Sequence, residues 1–526
     1  MKEDLLKIIK ERGLLIDREI YECLNELSTD VAKNLLELLE RASGNKMITR
    51  QVLSKNISYA YGDVFSEGKE DTGNFDRFCL KLGLSLEFVR EKKSGGEDSE
   101  ILNKSKKIDN NYRIFYSETK TDKKLEVKDF TGYFRARFQQ LQRILMQRAE
   151  LQKNLVSINK ISSQRSSLSI IGIVSEKRTT KNKNLIIKLE DLTGEISVLA
   201  KADSEAFPKA EELLLDDVVG IRASGNSDML FVREIFFPDC FIHEKTRFDE
   251  DISIAFLSDV HCGSDRHLGN SFMRFLEWIN SDDKDAKKIK YLFFVGDNVD
   301  GVGIFPGQEN VLNLKSMEEQ YSLLASYLRQ IPKHIVIFMC PGQHDAVRVA
   351  EPQPAIGIKY ARELCEIGNL ILVSNPSLVK LNEGEKEFKI LMYHGASIHS
   401  FINEIKELRE LKAHGCPAKA VRHMLKRRHL APTHSEVVYI PNADIDPLII
   451  SEVPNVLATG EVHRLDIEDY HGVLIITGSC WQAQTPFEEK IGNVPDPGKV
   501  PVLNLKSGEI KIFDFLGEEG FNYGNK

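Results

Sequence analysis

No stretch of this 526-residue chain approaches the about 20 consecutive apolar residues that a membrane-spanning helix requires. Positive charge is not in excess either: 71 Lys and Arg stand against 79 Asp and Glu, a formal net charge of −8. That excludes a generally basic nucleic-acid coat protein, so any contact with DNA has to come from local basic patches, metal ions or a partner. The eight cysteines include no C-x-x-C pair, which argues against a zinc ribbon, and several sit in apolar runs as buried thiols suited to a reducing cytosol. Residues 1–15, MKEDLLKIIKERGLL, carry charges throughout and no continuous apolar core, so no signal peptide is expected. The remainder, 42% hydrophobic and 29% charged, is ordinary globular composition, long enough for several domains.

The chain is organised around residues 252–265, ISIAFLSDVHCGSD. Its apolar run reads as a strand buried on both faces, and it ends in Asp259-Val260-His261. Period-two alternation puts the carboxylate and the imidazole on one side of the strand's carboxyl end, as half of a metal site. Taken alone, the motif reads equally as a capped strand with a surface histidine. It is not alone: later apolar runs end in Gly296-Asp297, in Gly342-Gln343-His344-Asp345, in His394-Gly395 and in Gly460-Glu461-Val462-His463. Each places polar side chains just past a strand, where open α/β sheets bind ligands, often with glycine to allow close approach of the backbone.

The rest of the chain divides by pattern. Residues 1–70 read as a small helical module, with Val31, Leu35, Leu38 and Leu39 forming a stripe after the cap Asp30 and with Leu5, Leu6, Ile8 and Ile9 forming a second apolar face. Residues 91–130, charged and with few large apolar side chains, read as a flexible linker. Residues 131–166 contain a connecting helix with Phe134, Phe138, Leu141 and Leu145 on one face and Arg135, Arg137, Arg143 and Arg148 on a solvated basic face. Residues 167–240 alternate into short strands with a helix after the third, the order of an OB-fold barrel; few aromatics beyond Phe231 line it, so a partner-contacting role stands beside a DNA-binding one. The final domain, 251–517, contains a basic run, Lys419, Arg422, Lys426, Arg427 and Arg428, readable as a solvated face or as a guide for phosphates.

The order of these motifs resembles that of the calcineurin-like metallophosphoesterase family: D-x-H, G-D, G-N-H-D, H-G and G-H-x-H. Carried over by position, the resemblance implies that Asp259, His261 and His463 hold one metal, that Asp297 bridges, and that Gln343, His394 and Glu461 hold the second. His344 would face the scissile phosphate, with Asp345 orienting its ring. Gln343 and Glu461 depart from the pattern, which has Asn and His there; both still offer oxygen ligands to a hard or intermediate ion.

A helical module, linker, OB-like barrel and calcineurin-like α/β domain in one multidomain α+β chain resemble the small subunits of archaeal family D DNA polymerases, in the B-subunit family of replicative polymerases. Residues 426–432 (KRRHLAP), 481–487 (WQAQTPF) and 493–498 (NVPDPG) extend the likeness. It implies a heterodimer with a large catalytic polymerase subunit, a 3′–5′ exonuclease acting on single-stranded or mismatched DNA ends, and two divalent ions, Mn²⁺, with Mg²⁺ serving the partner's polymerase reaction. It also implies a sliding clamp reached through the holoenzyme, no membrane, and a place at the replication fork in an archaeal cytoplasm. Trp481 is readable as an interface anchor or as a core residue. A non-catalytic scaffold and a free-standing phosphatase stand as the alternative functions.

Overall fold

The computed structural model describes residues 111–116, 124–434 and 437–517, together with isolated positions among the first 48 residues. The chain forms two compact units, Met1–Gly95 and Gly96–Lys526. In the first, Leu15–Ile16 pairs in parallel with Met47–Ile48, and Ile9, Leu14, Ile20, Leu24, Ala32 and Leu36 are buried. The stripe of Val31, Leu35, Leu38 and Leu39, its cap Asp30, and Leu5, Leu6 and Ile8 lie outside the described residues.

The second unit begins with a strand. Tyr112–Tyr116 falls inside the stretch expected to be a linker, yet forms a strand (β1). Its alternation is short, but Tyr112 and Ile114 pack into the same apolar cluster as the sheet they join. The helix that follows, α1 (Val127–Leu145), starts earlier than expected. Phe138, Leu141 and Leu145 bury against Ile171, Val218 and Phe236. Arg137, expected on a solvated face, is instead fully buried: its Nε lies 2.7 Å from Asp446 Oδ2, with side-chain exposures of 1% and 0%.

The expected run of short strands closes into a five-stranded barrel: β2 (Ser166–Thr179), β3 (Leu185–Glu190), β4 (Glu195–Ala200), β5 (Val218–Gly225) and β6 (Leu230–Phe236), in the order β2-β3-β4-β6-β5. Antiparallel pairing of β2 with β5 and parallel pairing of β4 with β6 remove the open edges. A five-residue helix, α2 (Phe207–Glu211), lies between β4 and β5, as the pattern indicated.

The remaining chain builds two six-stranded sheets. In the first, β7 (Ser253–Leu257), β8 (Ile289–Val295), β9 (Val336–Cys340) and β10 (Leu370–Leu372) run parallel, and β16 (Lys499–Asn504) and β17 (Ile510–Asp514) are added antiparallel beyond β7. The second has the order β14 (Asp466–Tyr470), β15 (Val473–Thr477), β13 (Val456–Thr459), β12 (Lys386–Met392), β11 (Ser377–Glu383), β1. Alternation sorts the side chains. Ile254 and Phe256 of β7 join Phe293, Phe338, Ile390 and Val456 between the two sheets. Ala255 and Leu257 face outward onto α3 (Gly269–Ile279), α4 (Met317–Leu328) and α5 (Ile358–Cys365). Helix α4 starts where Ser316 and Glu319 form a reciprocal capping box. The far face of the second sheet is covered by α6 (Ile398–Glu404), α7 (Lys406–Leu411) and α8 (Ala418–Arg427). The layers are therefore helix, sheet, sheet, helix. Trp481 is 1% exposed among Phe272, Phe275 and Phe515, so it is a core residue rather than an interface anchor.

The basic run also departs from expectation. Arg427 is buried against Asp217 at the start of β5, 2.9 Å from Nε to Oδ1; Lys426 bonds Glu212; Arg428 donates to the Ile450 and Ser451 carbonyls. These cations join α8 to the barrel and to the loop before β13. Lys419 and Arg422 pair with Glu468. No described helix is long and apolar enough to cross a membrane.

Candidate metal centre

The loops after β7, β8, β9, β12 and β13 converge at the carboxyl ends of their strands. They are stitched by main-chain bonds: Asp259 N–H to Gly296 O, His261 N–H to Asp297 O, Gly460 N–H to His394 O. The backbone there is strained. Asp259, His261, Asp297, Glu461 and His463 all adopt left-handed φ, between 46° and 73°. That conformation costs an L residue about 1–2 kcal/mol, and it persists where the surroundings over-determine it, commonly at functional sites. Two glycines permit the close approach. A Cβ at Gly342 would come 2.2 Å from Asp297 Oδ1, and one at Gly460 would come 2.6 Å from Asp259 Oδ2.

Three sets of side chains bring one potential ligand atom each within 4.8 Å of one another: Asp259, His261 and His463; Asp259, Asp297 and His394; and His261, Asp300 and His344. Asp259 is thus shared between the first two sets, beside Asp297. Glu461 reaches the same cleft, with Oε2 3.2 Å from His394 Nε2. Gln343 is half-buried between Gly342 and His344, the two residues whose backbone lies on Asp297.

Hydrogen bonding sets which nitrogen of each ring is available. His261 Nδ1 lies 3.0 Å from Asp300 Oδ1, His463 Nδ1 2.9 Å from Glu488 Oε1, and His394 Nδ1 2.9 Å from the Val295 carbonyl. Carboxylates and carbonyls only accept, so each Nδ1 carries the proton and each Nε2 presents its lone pair in the neutral ring. The Nε2 atoms of His261 and His463 face one another at 3.1 Å. His394 Nε2 lies 3.2 Å from Asp297 Oδ2 without an aligned hydrogen bond. Asp259 Oδ2, His394 Nε2, Asn298 Oδ1 and Thr459 Oγ1, all at the strand ends or in the loops just after them, are buried with no hydrogen-bond partner. Converging lone pairs and orphaned buried acceptors are a donor set for a cation. The nitrogen and carboxylate mixture suits Mn²⁺ or a similar intermediate divalent ion.

The titration directions agree. Burial opposes charge on His394, but Asp297 and Glu461 outweigh it and raise the ring well above the usual histidine range. Burial likewise opposes charge on His463, and the Cys480 sulfur and the Asp259 and Glu488 carboxylates outweigh it. Burial works to raise Asp297, but His394, His344 and His261 bring it far below an ordinary carboxylate. Without a cation these carboxylates hold protons on the imidazoles; a divalent ion would displace them.

His344 borders the same cleft and is not held by Asp345. Its Nδ1 donates to the Asp300 carbonyl at 2.6 Å, leaving Nε2 aimed at the cleft 3.9 Å from Asp297 Oδ2. Burial lowers its pKa, and Asp297 and Asp300 more than restore it, so that it lies above the ordinary value. Asp345 does not orient this ring. Its carboxylate accepts from Gly342 N–H, Asn298 N–H and Nδ2, and Tyr321 O–H, tying the loops after β8 and β9 together. Burial and then Asp297 push it up to about 6.

Three participants had not been singled out from the sequence. Asp300 holds His261, and its signal was the spacing Gly296-Asp297-x-x-Asp300. Glu488 holds His463 with one oxygen and closes a capping box with Thr485 through the other; the box was legible, its second task was not. His399, on α6, reaches Glu461 Oε1 at 3.5 Å.

Residues 254–465 match the family of B subunits of DNA polymerases alpha and epsilon. The chain is 39% identical over 398 residues to the DNA polymerase II small subunit of Methanothermobacter thermautotrophicus, covering 74% of this chain and 80% of that one. It is 31% identical over 533 residues to the protein of the same name from Pyrococcus furiosus, covering 98% and 84%. With that of Archaeoglobus fulgidus it shares 36% identity over 400 residues, 74% of this chain and 78% of the relative.

Proposed function

The chain belongs to the family of archaeal DNA polymerase II small subunits, and from that premise we propose that it is the metal-dependent 3′–5′ exonuclease of a heterodimeric replicative polymerase. The large chain synthesises DNA, and this one removes nucleotides from single-stranded or mismatched 3′ ends. The clamp is reached through the holoenzyme. The barrel is of the OB type, and the two-sheet domain is a metallophosphoesterase.

The observation that carries this reading is the facing pair of Nε2 atoms on His261 and His463 beside the orphaned Asp259 Oδ2. Buried charge-bearing groups left open cost stability, and a cation between them removes that cost. Two divalent ions, Mn²⁺ in the first instance, would be held by Asp259, His261 and His463 and by Asp297, His394, Glu461 and Gln343. When bound, such ions polarise a phosphodiester and lower the pKa of water. The chain's own residues do the rest. Asp300 and Glu488 fix the ring planes of His261 and His463. Asp297 and the Asp300 carbonyl favour the protonated form of His344, whose Nε2 is directed into the cleft, where it would donate a hydrogen bond to a phosphoryl oxygen and a proton to the leaving 3′ oxygen.

The test is a 3′–5′ digestion of 5′-labelled single-stranded DNA by the full chain, alone and with its large subunit, in Mn²⁺ and in EDTA. Shortening from the 3′ end only in Mn²⁺ is expected. Metal occupancy without cleavage in either form would leave a structural scaffold, the reading that the departures at Gln343 and Glu461 favour.

A further inference from the structure

Glu461 stands where the metallophosphoesterase pattern has a histidine, and its carboxylate is divided between two imidazoles. Oε2 lies 3.2 Å from His394 Nε2 and Oε1 lies 3.5 Å from His399 Nε2. His399 belongs to no motif of that pattern. It enters from α6, which begins four residues after His394, and the intervening loop abuts Glu461: a Cβ at Gly395 would come 3.3 Å from Glu461 Cβ. His399 is itself held from behind, with Nδ1 3.2 Å from His414 Nε2, on the turn after α7.

A glutamate in place of a histidine changes the mechanics of a site. Imidazole is a rigid ring with two torsions, whereas a carboxylate on two methylenes has three and more rotamers to lose. Gripped at one oxygen, Glu461 would swing away from His394. Gripped at both, it has one orientation. His399 is 37% exposed, which is unusual company for a carboxylate buried in a cleft unless it spans the cleft wall, and both of its nitrogens are engaged in doing so.

We propose that His399 is a positioning residue for Glu461, and that the Glu461–His399 pair together replaces the histidine ligand of the pattern at the second ion. This rests on the reading of the cleft as a two-ion centre and not on the exonuclease activity.

The experiment is titration of the EDTA-dialysed full chain with Mn²⁺ by calorimetry, with electron paramagnetic resonance to detect the spin-coupled pair. Wild type is expected to bind two equivalents. His399→Ala should weaken the second by about 10–100-fold, the usual cost of losing a residue that orients a ligand, while the first equivalent is unmoved and the coupled signal is lost. His399→Gln, whose amide still donates to Glu461, should recover most of the affinity, and it carries the comparison where His399→Ala melts earlier in EDTA. The deciding arm is Glu461→His: with a histidine there, adding His399→Ala should leave the second equivalent within about twofold. Equal losses in the Glu461 and Glu461→His backgrounds overturn the proposal, as do wild-type-like titration of His399→Ala or a wild type that binds fewer than two ions. Two equivalents, lost as described, in a protein that cuts no DNA would uphold the pairing and sink the exonuclease reading instead.

Discussion

Asp446 and Asp259 are both fully buried aspartates with a histidine beside them, and their surroundings differ in one respect. Asp446 accepts from Arg137 Nε, Tyr133 O–H, the Leu448 N–H and His429 Nε2, whose Nδ1 in turn accepts from Ala431 N–H. Burial alone would raise its pKa, and His429 and Arg137 bring it far below the carboxylate range. Asp259 accepts from Glu461 N–H on one oxygen and has nothing on the other. The residue types are nearly the same; the cluster around Asp446 is closed, and the one around Asp259 is open. A closed cluster joins α1 to the loops beneath it. An open one, on left-handed backbone, stores the cost of its own unmet bonds, a cost that a bound cation would offset.

The largest expected effect tests that contrast through stability. Arg137→Met breaks a buried ion pair and leaves Asp446 short of a partner, which costs about 3–5 kcal/mol and lowers the melting temperature by about 10 °C. Mn²⁺ should not restore it. Asp259→Asn keeps an acceptor for the Glu461 N–H and removes a buried carboxylate whose Oδ2 has no hydrogen-bond partner, so it should stay closer to the wild-type temperature in EDTA than Arg137→Met does, and should gain no rise from Mn²⁺. Scanning calorimetry with and without metal checks both. If Asp259→Asn falls in EDTA as far as Arg137→Met, the open cluster is structural and the comparison breaks.

What could be read in the sequence divides along the same line. The open cluster was legible because each ligand type follows an apolar run, and strand ends are where the two-residue period and the α/β architecture bring side chains together. The closed clusters were not. Arg137 reads as solvated, and Arg427 as solvated or as a guide for phosphates, because their acidic partners, Asp446 and Asp217, lie 309 and 210 residues away, and no periodicity connects residues across such separations. β1 was missed for a related reason: a five-residue edge strand between charged stretches has too little pattern to stand against its composition, and its pairing with β11 is decided by the sheet. The barrel was legible because turns and alternation are local.

The second effect concerns rate rather than stability. His344 presents Nε2 to the cleft and belongs to neither ligand set that contains Asp259. His344→Ala should slow Mn²⁺-dependent cleavage by about 10²–10³-fold, as loss of one preorganised donor does, with Mn²⁺ stoichiometry and melting temperature nearly unchanged. Single-turnover kinetics beside metal analysis checks it. Loss of an ion with the activity would make His344 a ligand and enlarge the open cluster.

The smallest effect separates ligand from support within the cleft. Glu488 touches no ligand atom of the site directly; it holds His463 Nδ1 through Oε1 while Oε2 closes the helix cap of α9 (Pro486–Ile491). Glu488→Gln keeps the size and an acceptor for the cap but replaces an anion by an amide, so the imidazole becomes a poorer donor to a metal. Outer partners of this kind are worth about 10–100-fold in metal affinity. The same carboxylate helps raise His463, so it also strengthens the proton that a metal must displace. These effects have opposite signs and different pH ranges. At pH 8.5 fewer protons compete than at pH 6, and more of the loss of basicity shows. At pH 6 the wild-type ring is protonated and must release a proton to bind, while the variant's lower pKa makes that release easier. The affinity ratio between wild type and Glu488→Gln should therefore be largest at high pH and shrink as pH falls, measured by Mn²⁺ titration across that range. A ratio constant with pH would mean that Glu488 acts on the fold of α9 and not on the charge of His463, and would move it from the open cluster to the closed kind.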